Sequence, residues 1–227
     1  MKKINLMGIP LKDMFLRESL QQVEVFLKNG ALNSVIYINI PLLVRAKDDE
    51  EISNWIQQAD ITVFGDKDIL KACGITARNR IDEAQRLVFL TTLLGKISYK
   101  RYSVFLISDS DKGLEKIQSD LDTIRGDLNI VGTGVYGTDE DINAGVINKI
   151  NSMVPRVIIM RSSEKVCMQL MTKDRDMINA EVIIYLPEDL NIASRKDSVR
   201  ERFIQKIYHR VFKKSASQYR NSIKDEH

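Results

Sequence analysis

The chain has 227 residues, of which 44% are hydrophobic, 29% charged and 7% aromatic. This apolar content excludes a disordered chain, and the 11 glycines and 4 prolines exclude collagen-like or low-complexity material. The 34 basic and 31 acidic residues leave a formal net charge of only +3. We therefore expect a folded protein with one core, because its length is below the limit of about 250 residues at which a single core stops growing.

The cysteines and the N-terminal segment predict where the protein resides. Cys73 and Cys167 lie far apart in apolar surroundings, without the spacing of a disulfide framework or a zinc site. The apolar stretch at the start is broken by Asn5, Lys12 and Asp13, which is too early for a signal peptide. Since no run of 18 apolar residues occurs, we expect a cytoplasmic protein that is able to lie on a membrane face.

Seven short apolar runs predict strands, and most of them are continuous rather than alternating. This pattern is typical of strands buried on both faces, as in parallel sheets covered by helices. The runs are 4–7, 35–40, 61–64, 104–107, 129–131, 157–160 and 182–186. Apolar residues at helical spacing over 15–27 and 114–124 predict helices between strands. The alternation predicts an α/β fold with a Rossmann-like, mainly parallel sheet and helices on both faces.

The composition changes near residue 195. The segment 195–227 holds ten basic and four acidic residues, a balance of +6, which leaves the rest of the chain at −3. Its apolar residues recur at helical spacing, and Asp197 and Ser198 are suitable N-caps. We therefore divide the chain into an α/β domain at 1–194 and a basic, amphipathic C-terminal helical appendage at 195–227.

This appendage could bind either of two surfaces, a membrane or the protein's own core. An anionic membrane would attract it, since each cation near the surface contributes on the order of 1 kcal/mol. The apolar stripe is equally suited to docking on the protein's own core, as most amphipathic helices do. If the membrane is the surface, the predicted contacts are Arg202, Phe203, Lys206, Ile207, Arg210, Phe212, Lys213 and Lys214.

Residues directly after the strands are the candidates for chemistry, because open parallel sheets bind ligands at the carboxyl ends of their strands. Asp66 is suited to act as a general base, although an N-cap role fits it equally well. For Asp68 the N-cap role is favoured. The segment 108–113 predicts the capped start of a helix.

Two further features bear on the site. The segment 132–137 has the pattern Gly-Thr-Gly-Val-Tyr-Gly, which could offer backbone N–H groups to a diphosphate, although a turn role for its glycines is favoured. The chain has only two histidines, His209 and His227, both in the appendage. A histidine triad or histidine metal cluster within the body is therefore excluded, and catalysis there would fall to carboxylates and bound dipoles.

The order of elements resembles the WecG/TagA/CpsF family of bacterial glycosyltransferases over nearly the whole chain. The resemblance implies transfer of an N-acetylhexosamine, typically N-acetylmannosamine, from a UDP-sugar to an undecaprenyl-diphosphate-linked sugar, with inversion and without a metal or other cofactor. It also implies attachment to an anionic membrane, and it leaves open a homo-oligomer or a partner glycosyltransferase. Nucleic acid is not an expected partner. The segments that carry the resemblance are 4–10, 35–39, 59–64, Arg80, 104–107, 128–132, 136–137, 208–211 and Arg220.

The family's motifs are kept to different degrees. Its Thr-x-Asn falls on 37–39 and keeps Asn39, and its Pro-Asp-Gly falls on 64–66 with the carboxylate of Asp66 shifted by one residue. Its glycine-containing stretches after two late strands are replaced, so that Arg161 and Leu186 stand where the family has glycine.

The resemblance implies a role for each candidate. Asp66 would deprotonate the acceptor hydroxyl, Asn39 would orient the acceptor, and Arg80 would neutralise diphosphate charge. The remaining predicted substrate-binding residues are Gly132, Gly134 and Tyr136. The alternative is a catalytically inactive member that serves as a partner or scaffold for an active glycosyltransferase.

Overall fold

The structure is a computed structural model that describes residues 2–192 and 199–225. Its first element is an antiparallel hairpin of β1 (Lys2–Leu6) and β2 (Ile9–Asp13). Met7 and Gly8 join the strands with φ angles of 56° and 83°, the two left-handed residues that a tight hairpin turn requires. The run 4–7 therefore forms a strand as predicted, but this strand lies outside the main sheet.

The main sheet has six parallel strands in the order β4-β3-β8-β7-β5-β6. All six remaining runs predicted as strands lie in it, so the prediction of a Rossmann-like α/β fold is confirmed. Most of these strands are almost wholly buried, as their continuous apolar sequences require. The strands are β3 (Asn33–Ile38), β4 (Ile61–Phe64), β5 (Ser103–Ser108), β6 (Asn129–Val135), β7 (Val157–Ser162) and β8 (Val182–Pro187).

Helices cover both faces of this sheet. One apolar core lies beneath α2, α3, α8 and α9 with the hairpin, and a second lies beneath α1, α6 and α7. The predicted helices over 15–27 and 114–124 are α1 and α7, and Ser110 caps α7 as the segment 108–113 predicted. The helices are α1 (Leu16–Phe26), α2 (Ile40–Asp48), α3 (Glu50–Gln58), α4 (Lys67–Ala72), α5 (Arg78–Gln85), α6 (Val88–Tyr99), α7 (Asp111–Arg125), α8 (Glu140–Met153), α9 (Glu164–Gln169) and α10 (Val199–Asp225).

Two strand boundaries differ from the prediction. β3 ends at Ile38, not at residue 40, because Asn39 caps α2 and Pro41 lies in its first turn. The glycines at 132 and 134 were predicted to lie in a loop, but they belong to β6. The prediction of a turn role is therefore wrong for both.

Helix α10 packs on the protein's own core, against α2. Phe212 is only 2% exposed, and the Ser215 hydroxyl lies 3.2 Å from the Lys47 ammonium. The prediction that Phe212 contacts a membrane is therefore wrong, because the core covers it. A neighbouring stripe of α10 stays uncovered, where Ile204 and Ile207 are 41% and 45% exposed.

Part of the predicted appendage cannot be compared with the structure. The proposed N-caps Asp197 and Ser198 and the side chains of Arg202 and Phe203 lie outside what is described, and so does the domain boundary at 194/195, which stays a prediction. Among the helices within 2–192 and 199–225, none is long and apolar enough to cross a membrane.

Candidate functional site

A polar cleft of about 430 Å³ lies at the carboxyl ends of β3, β4 and β8, which are neighbours in the sheet. Each strand contributes the residue or residues that follow it: Asn39 after β3, Asp66 after β4 and Asp189 after β8. The fourth wall is α10, which brings His209 into the cleft. This position is the one at which open parallel sheets bind their ligands.

Asp66 is held in place as the N-cap of α4. Its Oδ1 accepts a hydrogen bond of 2.8 Å from the backbone N–H of Asp68, so the prediction that Asp68 is the cap is wrong. Its Oδ2 lies 3.7 Å from His209 Nε2, and both residues line the cleft. Burial raises the pKa of Asp66, while the Asp68 N–H and the nearby His209 act in the opposite direction. One oxygen therefore fixes the carboxylate and the other is available for chemistry.

Asn39 is fixed at both ends of its side-chain amide. Its Oδ1 accepts from the backbone N–H of Leu42 at 3.0 Å, and its Nδ2 donates to Asp189 Oδ1 at 2.6 Å. The other oxygen of Asp189 lies 3.5 Å from Arg45, whose Nε is 2.9 Å from Glu164. These contacts give the cleft a preorganised wall of amide and carboxylate groups.

The loop that carries Asp189 is anchored from below by Arg161. This guanidinium is buried, lies 2.5 Å from Asp120, and donates hydrogen bonds of 2.9 Å to the carbonyl oxygens of Glu188 and Leu190. The large side chain at this strand end therefore fills the space beneath the loop and fixes its course.

Arg80 lies away from this cleft. It is 8% exposed, forms a 2.5 Å ion pair with Asp13, and stacks over the Phe15 ring at 4.8 Å. It lines a separate, smaller cavity beside Tyr37. The structure thus does not bring Arg80 together with Asn39 and Asp66, and Lys67 is a cation that does line the cleft.

The predicted substrate-binding residues in β6 and directly after it also lie outside the cleft lining. A Cβ at Gly132 would lie 2.7 Å from a ring carbon of Phe105, and one at Gly134 would lie 2.8 Å from Val146. Tyr136 is fully buried and its hydroxyl donates to Asp174. Close packing accounts for these residues, and their role in binding substrate stays a prediction.

Sequence reasoning missed two groups of the cleft. Asp189 is the second residue after β8, as Asp66 is the second residue after β4, so the strand-end pattern that selected Asp66 also applies to it. His209 had no such signal, because only the docking of α10 places it in the cleft. Among the described residues, no cluster of His, Cys, Asp and Glu could hold a metal ion.

No curated protein sequence is significantly similar to the chain. The model of the glycosyl transferase WecG/TagA/CpsF family matches residues 4–211. This span covers the hairpin from Ile4 onward, the whole sheet, the cleft and α10 as far as Val211. A sugar donor and an acceptor are thereby implied in general. The resemblance seen in the sequence is confirmed, and the chain belongs to the glycosyl transferase WecG/TagA/CpsF family.

Proposed function

We propose that the chain transfers an N-acetylhexosamine, similar to N-acetylmannosamine, from a UDP-sugar to an undecaprenyl-diphosphate-linked acceptor in the synthesis of a cell-surface polysaccharide or teichoic acid. The observation that carries this proposal is Asp66, a fixed carboxylate with one oxygen facing a cleft at the strand ends. The family supports glycosyl transfer in general, and the choice of sugars follows the resemblance.

The proposed reaction is a single displacement. The acceptor hydroxyl gives its proton to Asp66 Oδ2 as its oxygen attacks the anomeric carbon of the donor. The bond between that carbon and the UDP oxygen breaks on the opposite face, so UDP leaves and the configuration inverts. Because burial raises the pKa of Asp66, the carboxylate is a stronger base than an exposed one. No metal takes part in this proposal.

Cations near the cleft support binding of diphosphate groups. Lys67 lines the cleft itself. An open groove of about 520 Å³ adjoins it at Gln205 and His209 and is lined by Lys206, Arg210 and Lys213. Charge-assisted contacts from such side chains stabilise phosphate oxygens. We assign Lys67 to the leaving UDP and the groove to the diphosphate of the acceptor.

The activity is tested with the full chain, UDP-N-acetylmannosamine and an acceptor carrying a short polyprenyl diphosphate sugar. Asp66→Asn keeps the Oδ1 that caps α4 but removes the base, so we expect transfer to fall by about 10²- to 10⁴-fold. Asp139→Asn is the matched control, because Asp139 caps α8 in the same way. Wild-type rates of UDP release from Asp66→Asn would contradict the proposal.

We also propose that α10 holds the protein on the inner face of the bacterial plasma membrane. The exposed stripe of Ile204, Ile207 and Val211 follows helical spacing and lies beside the exposed cations Lys206 and Arg210. Lys213 and Lys214 are further exposed cations of this helix. The other face of the helix is docked on α2, so the helix can bind lipid without leaving the core.

Flotation with vesicles tests this attachment. Ile207→Ser removes an aliphatic side chain whose transfer into lipid contributes about 1 kcal/mol, so binding to anionic vesicles should fall about five-fold. Replacing Lys206 and Lys213 with alanine should cost about 2 kcal/mol, or about 30-fold. Ile142→Ser, at an equally exposed position of α8, is the control. Equal binding to neutral and anionic vesicles would contradict the proposal.

One observation favours the alternative, a non-catalytic partner of an active glycosyltransferase. Arg161 stands at a strand end where the family has glycine, and its guanidinium fills the space beneath the loop at 188–190. Calorimetric titration with UDP-N-acetylmannosamine separates the two functions. Absence of binding to the wild-type chain would support the partner role, and binding weakened by Lys67→Ala would support the enzyme.

A further inference from the structure

His209 lies between the two carboxylates at the start of α4. Its Nε2 is 3.7 Å from Asp66 Oδ2 and its Nδ1 is 3.5 Å from Asp68 Oδ2. The imidazole is about two-thirds buried, with 35% of its side chain exposed, and it belongs to a different part of the chain from both carboxylates. The tail helix therefore approaches the candidate base within the cleft.

This geometry decides what the ring can do. Both ring nitrogens face a carboxylate oxygen, so neither nitrogen is directed at a substrate hydroxyl. A histidine held in this way acts through its neighbours, since a protonated ring favours the ionised form of a nearby carboxylate. The capping hydrogen bond restrains Asp66 Oδ1, and the ring is the group that faces Asp66 Oδ2.

We propose that His209 is a positioning residue for the general base: its imidazolium, held between Asp66 and Asp68, keeps Asp66 ionised and directs Oδ2 into the cleft, so that the base depends on the docking of α10. This inference rests on the proposed function, because it assigns His209 to the reaction that Asp66 is proposed to catalyse. It adds a residue of the tail to the chemistry of the body.

Charged groups lie around the His209 ring on α4, on the loop after β8 and on α10. Helix α4 and its cap present Asp66, Lys67 and Asp68, and the loop after β8 presents Asp189 on the far side of the cleft. On α10 itself, the neighbouring cations are Lys206, Arg210 and Lys213. Because carboxylates and cations both lie around the ring, its effect on Asp66 is tested by replacing it with glutamine and with lysine.

The first experiment measures the carboxyl group directly and needs no substrate. The ¹³C signal of the Asp66 carboxyl carbon, assigned by its loss in Asp66→Asn, is followed during an acid titration of the full chain. His209 lowers the pKa of Asp66, so His209→Gln should move its titration to higher pH. His209→Lys, which restores a positive charge, should move it back toward the wild type. Ser217→Ala, an exposed change on α10, is the control.

The second experiment measures transfer across pH. In His209→Gln the acid limb of kcat/KM should shift to higher pH, with a loss of about two- to five-fold on that limb. The loss should disappear at high pH, where Asp66 is ionised in every variant. A merely structural role would lower activity equally at all pH values, and His209→Lys would not restore it.

Hydrogen exchange of α10 shows whether the helix stays docked in the variant, and this separates the outcomes. If α10 stays protected in His209→Gln and the Asp66 titration does not move, the inference is wrong. If the titration moves and His209→Lys reverses it, the ring acts on Asp66 as proposed. If the titration moves but the wild-type chain transfers no sugar, the proposed function fails while the coupling between His209 and Asp66 stands.

Discussion

The buried ion pair between Arg161 and Asp120 holds the cleft wall that β8 provides. Their side chains are 5% and 4% exposed, and their charged atoms lie 2.5 Å apart. Arg161 also supplies hydrogen bonds to the carbonyl oxygens of Glu188 and Leu190, on either side of Asp189. Replacing Asp120 with leucine leaves this guanidinium buried without its counter-ion.

The expected cost of Asp120→Leu is about 3–5 kcal/mol, because the remaining charge has lost its partner but stays out of water. Domains have about 5–15 kcal/mol of stability in total, so this is a large fraction. At about 2–4 °C for each kcal/mol in a chain of this size, the melting temperature should fall by about 6 to 20 °C. Urea unfolding followed by circular dichroism measures the free energy of unfolding, and a thermal scan followed by the same signal measures the melting temperature.

The double variant Arg161→Met with Asp120→Leu tests the reasoning. Removing both charges also removes the desolvation penalty, so the double variant should recover most of the stability lost by Asp120→Leu. Glu140→Gln, at the exposed pair with Lys173, is the control and should leave the unfolding midpoint unchanged. A cost below about 1 kcal/mol for Asp120→Leu would refute the claim that a buried charge is left without compensation.

Three further predictions concern packing and pH. Gly132→Ala should lower the free energy of unfolding by about 1–3 kcal/mol, since its Cβ would lie 2.7 Å from the Phe105 ring; an unchanged urea midpoint would contradict this. Phe212→Ala should cost about 3–5 kcal/mol of docking, seen as faster hydrogen exchange of α10 while the sheet stays protected. Partial desolvation and the neighbouring Asp109 carboxyl raise the pKa of Glu188 to about 7. Ionising Glu188 therefore costs more in the folded state than in the unfolded state. The free energy of unfolding should be highest below about pH 4.5 and fall as pH rises through about 7, and Glu188→Gln should remove that dependence from urea midpoints.

The strands of the sheet could be predicted because a short run of consecutive apolar residues indicates burial on both faces. A strand covered on both faces, such as β8, needs an apolar side chain at nearly every position, and that pattern is visible without any partner. Asp66 could be found for the same reason, since the residue after such a strand lies at the edge where ligands bind. Asn39 could be predicted as a site residue from the resemblance and also from its place directly after β3.

The misread elements depend on contacts that are distant in sequence. Gly132 pairs with Phe105 of the neighbouring strand, and the Phe105 ring occupies the space that a side chain at residue 132 would fill. The sequence predicts that Arg80 neutralises a diphosphate, but its charge is paired with Asp13 of the hairpin. Neither Phe105 nor Asp13 is recognisable as a partner from residue type and spacing, so the sequence predicts a turn glycine and a phosphate-binding arginine where the structure has a strand glycine and a structural arginine.

The tail shows why a helical period alone could not decide between membrane and core. Helix α10 carries two adjacent apolar stripes. One packs on the protein's own core, and the other is the stripe proposed to contact the membrane. Phe212 and Ala216 are buried on the core side, while Ile207 and Val211 remain exposed. Because this docking also places His209 against Asp66, the basic tail and the acidic body meet at the cleft itself. The near-neutral net charge of the chain thus conceals two parts of opposite charge whose contact surface includes the candidate base.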